Sequence, residues 1–374
     1  MSKKKSRLQL AQEKTEAAID RTNAAIDILG THTKDLYDKL NGIQDLFDSI
    51  RNIPSEKRLQ YEKLKEIRIS WKQQAEKIDS DYQTARIKSA GSGAAGVGAG
   101  VAVVALGPSA AMGIATTFGV ASTGTAISSL SGAAATNAAL AWLGGGAAAA
   151  GGGGMAAGNA LLALAGPIGW AIAGVALLGS GILLLVADNE KRQLESIFTH
   201  ISQRDTKSYD LATVEINERV KRITNETGLL DSAIGRIQAF GTDYEQMTEA
   251  QQYELGSYVN LMEASTQLLV NPILGLQPRF TEEDYQRWIQ NDKLSAGIIS
   301  DSKYTGLLIT LANLLYAILI DDGDKKLLVK TFRNNKTFLS ALELKKEDIT
   351  LNVFDAVDRA LIDKYAFISR KAES

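Results

Sequence analysis

Residues 15–50 read TEAAIDRTNAAIDILGTHTKDLYDKLNGIQDLFDSI, and the spacing of their apolar side chains indicates the architecture of the chain. Apolar residues or threonines recur at alternating intervals of four and three residues over five heptads. This period predicts a left-handed coiled coil. Gly30, Gly42 and the threonines weaken such packing, so we expect an adjustable seam. The first seam comprises Thr15, Ile19, Thr22, Ile26, Leu29, Thr33, Leu36, Leu40, Ile43, Phe47 and Ile50.

The N-terminal arm, residues 1–88, is predicted to be a coiled-coil helical hairpin. Pro54 disfavours helix at the residue before it and suits a first helical turn, so a turn separates helix 7–51 from a second helix ending near Lys88. The seam can close inside one chain as a bundle or between chains, and the helices that follow favour the first. The basic cluster at Lys3–Arg7 is either a solvated terminus or a contact for anionic lipid.

The middle of the chain carries no charged residue and no histidine between Lys88 and Asp188. We call these 99 residues, 89–187, the charge-free segment; 53 of them are Gly or Ala. All charges therefore lie in two arms, which excludes a single globular domain. The segment also lacks the charge that keeps disordered chains solvated. The absence of cysteine excludes disulfides and thiolate metal sites, and polar residues after the basic start argue against a cleaved signal peptide.

The charge-free segment is predicted to be a membrane-insertion region of helical hairpins. Residues 168–187 form a leucine-rich run of 20 residues, the length that spans a bilayer as a helix. The residues expected to insert are Ile168, Trp170, Val175, Leu177, Leu178, Leu183, Leu184 and Leu185. Small residues at every fourth position let helices approach closely in lipid, as at Gly96, Gly100, Gly154 and Gly158. A buried soluble core and a low-complexity linker are the alternatives.

Two strings in this segment carry a resemblance. The string SGAAATNAALAWLGGG (131–146) and its continuation GGGGMAAG (151–158) look like a glycine-zipper segment that recurs in bacterial proteins. The layout of long helices around a hydrophobic hairpin region resembles the α-helical pore-forming toxins of the cytolysin A type. Membrane-active effectors of bacterial immunity, including antiviral defence, are similar. The resemblance implies an oligomeric membrane-inserting protein.

The C-terminal arm repeats the four-three spacing. The second seam comprises Ile216, Val220, Ile223, Thr227, Leu230, Ile234 and Ile237, in a helix predicted over 189–240 with an irregularity near 204–208. Coiled-coil helices are expected over 188–278 and a small helical domain over 279–374, with Asp321–Asp324 as a turn. The arms carry net charges of +4 and −6, so we expect the two seams to pack together. The fold class is therefore all-α: a long coiled-coil bundle or stalk, a Gly/Ala-rich hairpin region and a small C-terminal helical domain.

No catalytic motif, metal-ligand spacing or cofactor fingerprint stands out, so we predict neither an enzyme nor a cofactor. The two histidines lie far apart, and a pI near 5.9 with interleaved charges argues against nucleic-acid binding. Two function classes remain. One is a membrane-permeabilising helical effector, made in the cytoplasm, whose partners are the bilayer, further copies of the chain and an unidentified activator or inhibitor. The alternative is a constitutive multi-pass membrane sensor or scaffold with cytosolic coiled-coil arms.

The leucine-rich run gives a first prediction. An arginine in place of Val175 costs about 2.5–3.5 kcal/mol on membrane-insertion scales. We expect Val175→Arg to abolish dye release from liposomes and to leave the circular dichroism of the arms unchanged. Full dye release by this variant would exclude residues 168–187 as the inserting element.

Overall fold

A computed structural model describes residues 5–91, 108–118, 188–277, 279–291, 303–335, 338–339 and 344–372. Within these ranges the regular elements are helices and no strand occurs, which confirms the all-α prediction. The principal helices are α1 (Arg7–Ser49), α2 (Ser55–Gly91), α3 (Pro108–Phe118), α4 (Asp188–Ile237), α5 (Glu249–Val270), α6 (Glu282–Asn291), α7 (Lys303–Leu315), α8 (Asp322–Arg333) and α9 (Leu351–Ala372).

The long helices α1 and α4 run parallel and pack side by side within one chain. Thr22 Oγ1 lies 2.9 Å from Thr213 Oγ1, and further along the pair Asn52 donates to Asp243 at 2.9 Å. Both pairs of partners are 191 residues apart in sequence, so the register holds along the whole length of α1. At 1.5 Å per residue, α1 is about 65 Å long.

Two of the seam threonines, Thr15 and Thr22, bond across the α1–α4 interface. Thr15 contacts Thr206 at 2.9 Å and donates to the Ser202 carbonyl at 3.1 Å. Thr22, one heptad later, repeats the arrangement with Thr213. The sequence predicts that the threonines weaken the packing of the seam; Thr15 and Thr22 are buried and hydrogen-bonded. A polar pair at a defined heptad position specifies register, as in coiled coils.

Helices α2 and α5 complete the bundle. Asn52 adopts a positive φ of 62° at the predicted turn, after which α2 returns antiparallel to α1. Ring contacts between Phe47 and Tyr61 and between Tyr37 and Trp71 set this register. Helix α5 starts at the capping box that the sequence predicted, and it packs against α2 and α4.

The C-terminal helices α6–α9 enclose a second hydrophobic core. This core also includes Leu8 and the Leu194–Ile201 part of α4, so the beginnings of both long helices belong to it. Two sequence interpretations are wrong here. Helix α4 continues through residues 204–208, where Arg204 donates to the Leu314 and Tyr316 carbonyls at 2.9 and 2.5 Å. Asp321 is the N-cap of α8 rather than part of a free turn.

The parallel register predicts an intramolecular disulfide. Because the Thr22 and Thr213 hydroxyls are 2.9 Å apart, cysteines at both positions place their sulfurs close to bonding distance. We expect the Thr22→Cys, Thr213→Cys variant to oxidise to a crosslinked monomer, which a mobility shift on non-reducing gels detects.

The control pair is Thr22→Cys with Thr227→Cys. Thr227 lies 14 residues, about 21 Å, further along α4. Equal crosslinking of both pairs, or crosslinked dimers alone, would show that the parallel register within one chain is wrong.

Candidate functional site: the α3 docking site

Helix α3 is a described part of the charge-free segment, and it packs against the helices of the arms. Pro108 occupies its first turn, a position where the missing N–H costs nothing. Six of its side-chain positions are buried: Ala111, Met112, Gly113, Ala115, Thr116 and Thr117. At 100° per residue these positions cover well over half of the helix circumference. A helix buried on so many sides is a core element rather than an amphipathic surface helix.

The closest contact joins the backbones of α3 and α1. A Cβ atom built on Gly113 would lie 2.3 Å from the Ile26 carbonyl oxygen and 3.0 Å from the Gly30 amide nitrogen. Real Cβ atoms do not approach backbone oxygen so closely, so any side chain at position 113 pushes the helices apart. Gly30, which the sequence marked as a weak point of α1, is the place where α3 lies against it.

The other end of α3 is held by the chain that follows α5. The Thr117 carbonyl accepts hydrogen bonds from the Ile273 amide at 2.8 Å and from Gln277 Nε2 at 3.3 Å. These bonds satisfy a carbonyl that the end of a helix leaves without a partner. Gly275 in the same loop lies against Ala212 of α4, where its own Cβ would be 3.0 Å from three atoms of that residue.

Polar groups are buried in the core that surrounds α3. Arg68 of α2 donates to Gln44 Oε1 at 2.7 Å, and it makes a longer bond of 3.4 Å to Thr266 of α5. Burial lowers the pKa of Arg68 to about 10. Arg68 Nε, Trp71 Nε1 and Thr116 Oγ1 have no hydrogen-bond partner among the residues that the structure describes. An unpartnered buried polar atom costs about 1–3 kcal/mol.

A buried carboxylate lies where the bundle meets the C-terminal helices. Asp205 is 1% exposed and contacts Arg204 at 2.7 Å, and its Oδ2 atom lacks a partner among the described residues. Burial raises the pKa of Asp205 to about 6, although Arg204 acts in the opposite direction. The ionised form of this group therefore opposes folding at neutral pH.

The seam residues singled out in the sequence all lie in the bundle. The buried ones are Ile26, Leu36, Leu40, Ile216 and Ile223, and the half-buried ones are Ile19, Val220 and Ile234. The remaining predicted residues lie outside the described ranges. These are the insertion residues Ile168, Trp170, Val175, Leu177, Leu178, Leu183, Leu184 and Leu185, and the packing residues Gly96, Gly100, Gly154 and Gly158.

The docking site on α1 was not predicted from the sequence. The signal that was available is the pair of glycines, Gly30 and Gly113, in segments that are both predicted to be helical. His32 lies within 3.3 Å of Thr224 and His200 is exposed, so the two histidines do not meet. No cluster of His, Asp and Glu suited to a metal ion occurs in the described part of the chain.

None of the described helices combines the length and the apolar character that crossing a bilayer requires. Comparison of the chain with protein-family models, with curated proteins and with solved structures gives no match.

Asp205 gives a prediction about pH. Its folded-state pKa of about 6 lies above the unfolded value of about 3.8, so the folded state binds the proton more tightly. This contribution to stability is full below about pH 4 and is lost as the pH rises to about 6. We expect Asp205→Asn to gain up to about 3 kcal/mol relative to wild type between pH 4 and 7, as measured by urea unfolding.

The matched control is Asp210→Asn on the same helix, a half-exposed carboxylate that pairs with Arg21. Its free energy of unfolding should follow the wild-type pH profile closely, since exposed pairs contribute little. A wild-type profile parallel to that of Asp205→Asn would contradict the assignment.

Proposed function

We propose that this protein is a membrane-permeabilising helical effector whose arms store part of its charge-free segment until a trigger releases it. The observation that carries the proposal is the burial of α3. This helix belongs to the charge-free segment, yet it lies inside the bundle formed by the charged arms. The packing of Gly113 on the α1 backbone gives the helix one defined position.

The composition of the segment supports storage and release. A chain of 99 residues without charge avoids water, and its Gly- and Ala-rich parts gain too little from lipid to insert one by one. Association of several copies through small residues would supply the missing stabilisation in the bilayer. The resemblance in layout to cytolysin A-type toxins points in the same direction. Partners under this proposal are a bilayer and further copies of the chain.

The packing around α3 is suited to opening. Among the residues that the structure describes, Arg68, Trp71 and Thr116 each have a buried polar atom without a hydrogen-bond partner, and each such atom lowers the free energy of unfolding. Opening the bundle lets water reach these atoms. The bundle with α3 stored is therefore less stable than the same bundle with a fully apolar core would be. A trigger needs to supply less free energy to open it.

Substitution of Gly113 tests the proposal. In Gly113→Ala the new methyl group overlaps the Ile26 carbonyl, and overpacking of this kind costs about 1–3 kcal/mol. That cost shifts the equilibrium toward release of α3 by about 5- to 150-fold. We expect faster dye release from liposomes than with wild type at equal protein concentration.

The matched control is Gly228→Ala, since a Cβ at this exposed glycine of α4 meets nothing within 4 Å. It should leave the rate of dye release unchanged, and circular dichroism reports whether the arms of both variants stay folded. Equal or slower dye release by a folded Gly113→Ala protein would refute release of α3 as the activating step.

Cell fractionation separates the proposal from the alternative of a constitutive multi-pass membrane sensor. A stored segment allows part of the protein to be recovered without detergent. Protein found in the membrane fraction alone would favour the constitutive alternative.

A further inference from the structure

A groove lies between the first two turns of α1 and the beginning of α4. Its volume is about 570 Å³, which is within the range of small-molecule sites. On each helix the lining residues recur at intervals of three and four, so each helix presents one stripe to the groove. The stripes consist of Arg7, Leu10, Ala11 and Lys14 on α1 and of Arg192, Glu195, Ser196, Thr199, His200 and Gln203 on α4.

The groove is positively charged. Arg7, Lys14 and Arg192 are exposed, and none of them forms an ion pair with a described residue, whereas the neighbouring Lys5 pairs with Glu13 at 2.5 Å. Glu195 is the one carboxylate among the lining residues, so the lining has a net charge of +2 with His200 neutral. Three cations around one concave surface favour an anionic ligand.

The same groove offers an apolar surface. Leu10 is 48% exposed between Arg7 and Lys14, and Ala11 beneath it is buried. A free inorganic anion makes no favourable contact with an exposed leucine, whereas a phospholipid presents a phosphate group next to acyl chains. The combination of cations and a leucine therefore favours a lipid headgroup over a small soluble anion.

The position of the groove links it to the charge-free segment. Arg192 lies one helical turn after Asp188, the first residue that follows this segment. A bilayer surface bound here would lie within about 6 Å, measured along α4, of the point where the charge-free segment joins the arm.

We infer that this groove binds the phosphate-bearing headgroup of an anionic phospholipid and brings the bundle to the membrane surface. The inference deepens the proposed function and rests on it for its biological meaning. Binding to vesicles, measured apart from dye release, tests it separately.

The test is co-sedimentation of the full chain with vesicles of phosphatidylcholine alone or mixed with phosphatidylserine. We expect tighter binding to the anionic vesicles. Each basic side chain near such a surface contributes roughly a fivefold factor in affinity, so Lys14→Gln with Arg192→Gln should weaken binding about thirtyfold.

The matched control is Lys221→Gln with Arg222→Gln, which removes the same charges from exposed positions about 45 Å further along α4. This double variant should weaken binding by less than about threefold, since its charges lie beyond several Debye lengths from the groove. Equal weakening by both double variants would show that the net charge of the protein, and not the groove, determines vesicle binding. Unchanged binding of the groove variant would also overturn the inference.

Inorganic phosphate distinguishes the two sources of the anion. At constant ionic strength it should leave the protein on the vesicles, and displacement by phosphate would overturn the assignment to a lipid.

Vesicle binding that depends on the groove but is not followed by dye release would support the groove and refute the proposed function. Equal dye release from neutral and anionic vesicles, unchanged in the groove variant, would support the proposed function and refute lipid binding by the groove.

Discussion

The close approach of α3 and α1 at Gly113 is the constraint on which the position of α3 in the bundle depends. The Ile26 carbonyl and the Gly30 amide occupy the space that a side chain at position 113 would fill. This contact sets the position of α3 along α1, and the Thr117 carbonyl then reaches the loop after α5. The loop in turn rests on Ala212 of α4 through Gly275. Gly113 thus joins α3 to α1, and the loop that bonds to Thr117 joins α3 to α4 through Gly275.

The seams and the helix starts were predictable because they obey local rules. Burial of one helix face requires the four-three period, and the period alone identified Leu36, Leu40 and Ile223 as core positions. The capping box Thr248–Gln251 is likewise a short-range signal. Asp321 shows the limit of such rules, since an acidic turn and an N-cap look the same until the helix that follows is known.

The docking of α3 was not predictable from the period or the composition. A charge-free stretch indicates an apolar environment, but a lipid bilayer and a protein interior both provide one. Gly30 was interpreted as a defect because helix propensity describes a residue in isolation, whereas its role here depends on Gly113 across the interface. The hydrogen bonds of the threonines were not predictable for the same reason: Thr22 finds its partners on α4, about 190 residues away in sequence.

Burial of α3 by the arms in the absence of lipid is the property on which the proposed function rests. Amide hydrogen exchange of residues 111–117 in the protein without lipid tests this most directly. We expect exchange nearly as slow as that of the buried α1 residues around Leu36, because α3 opens only when the bundle opens. Exchange of these amides at the rate of an unstructured peptide would contradict the account.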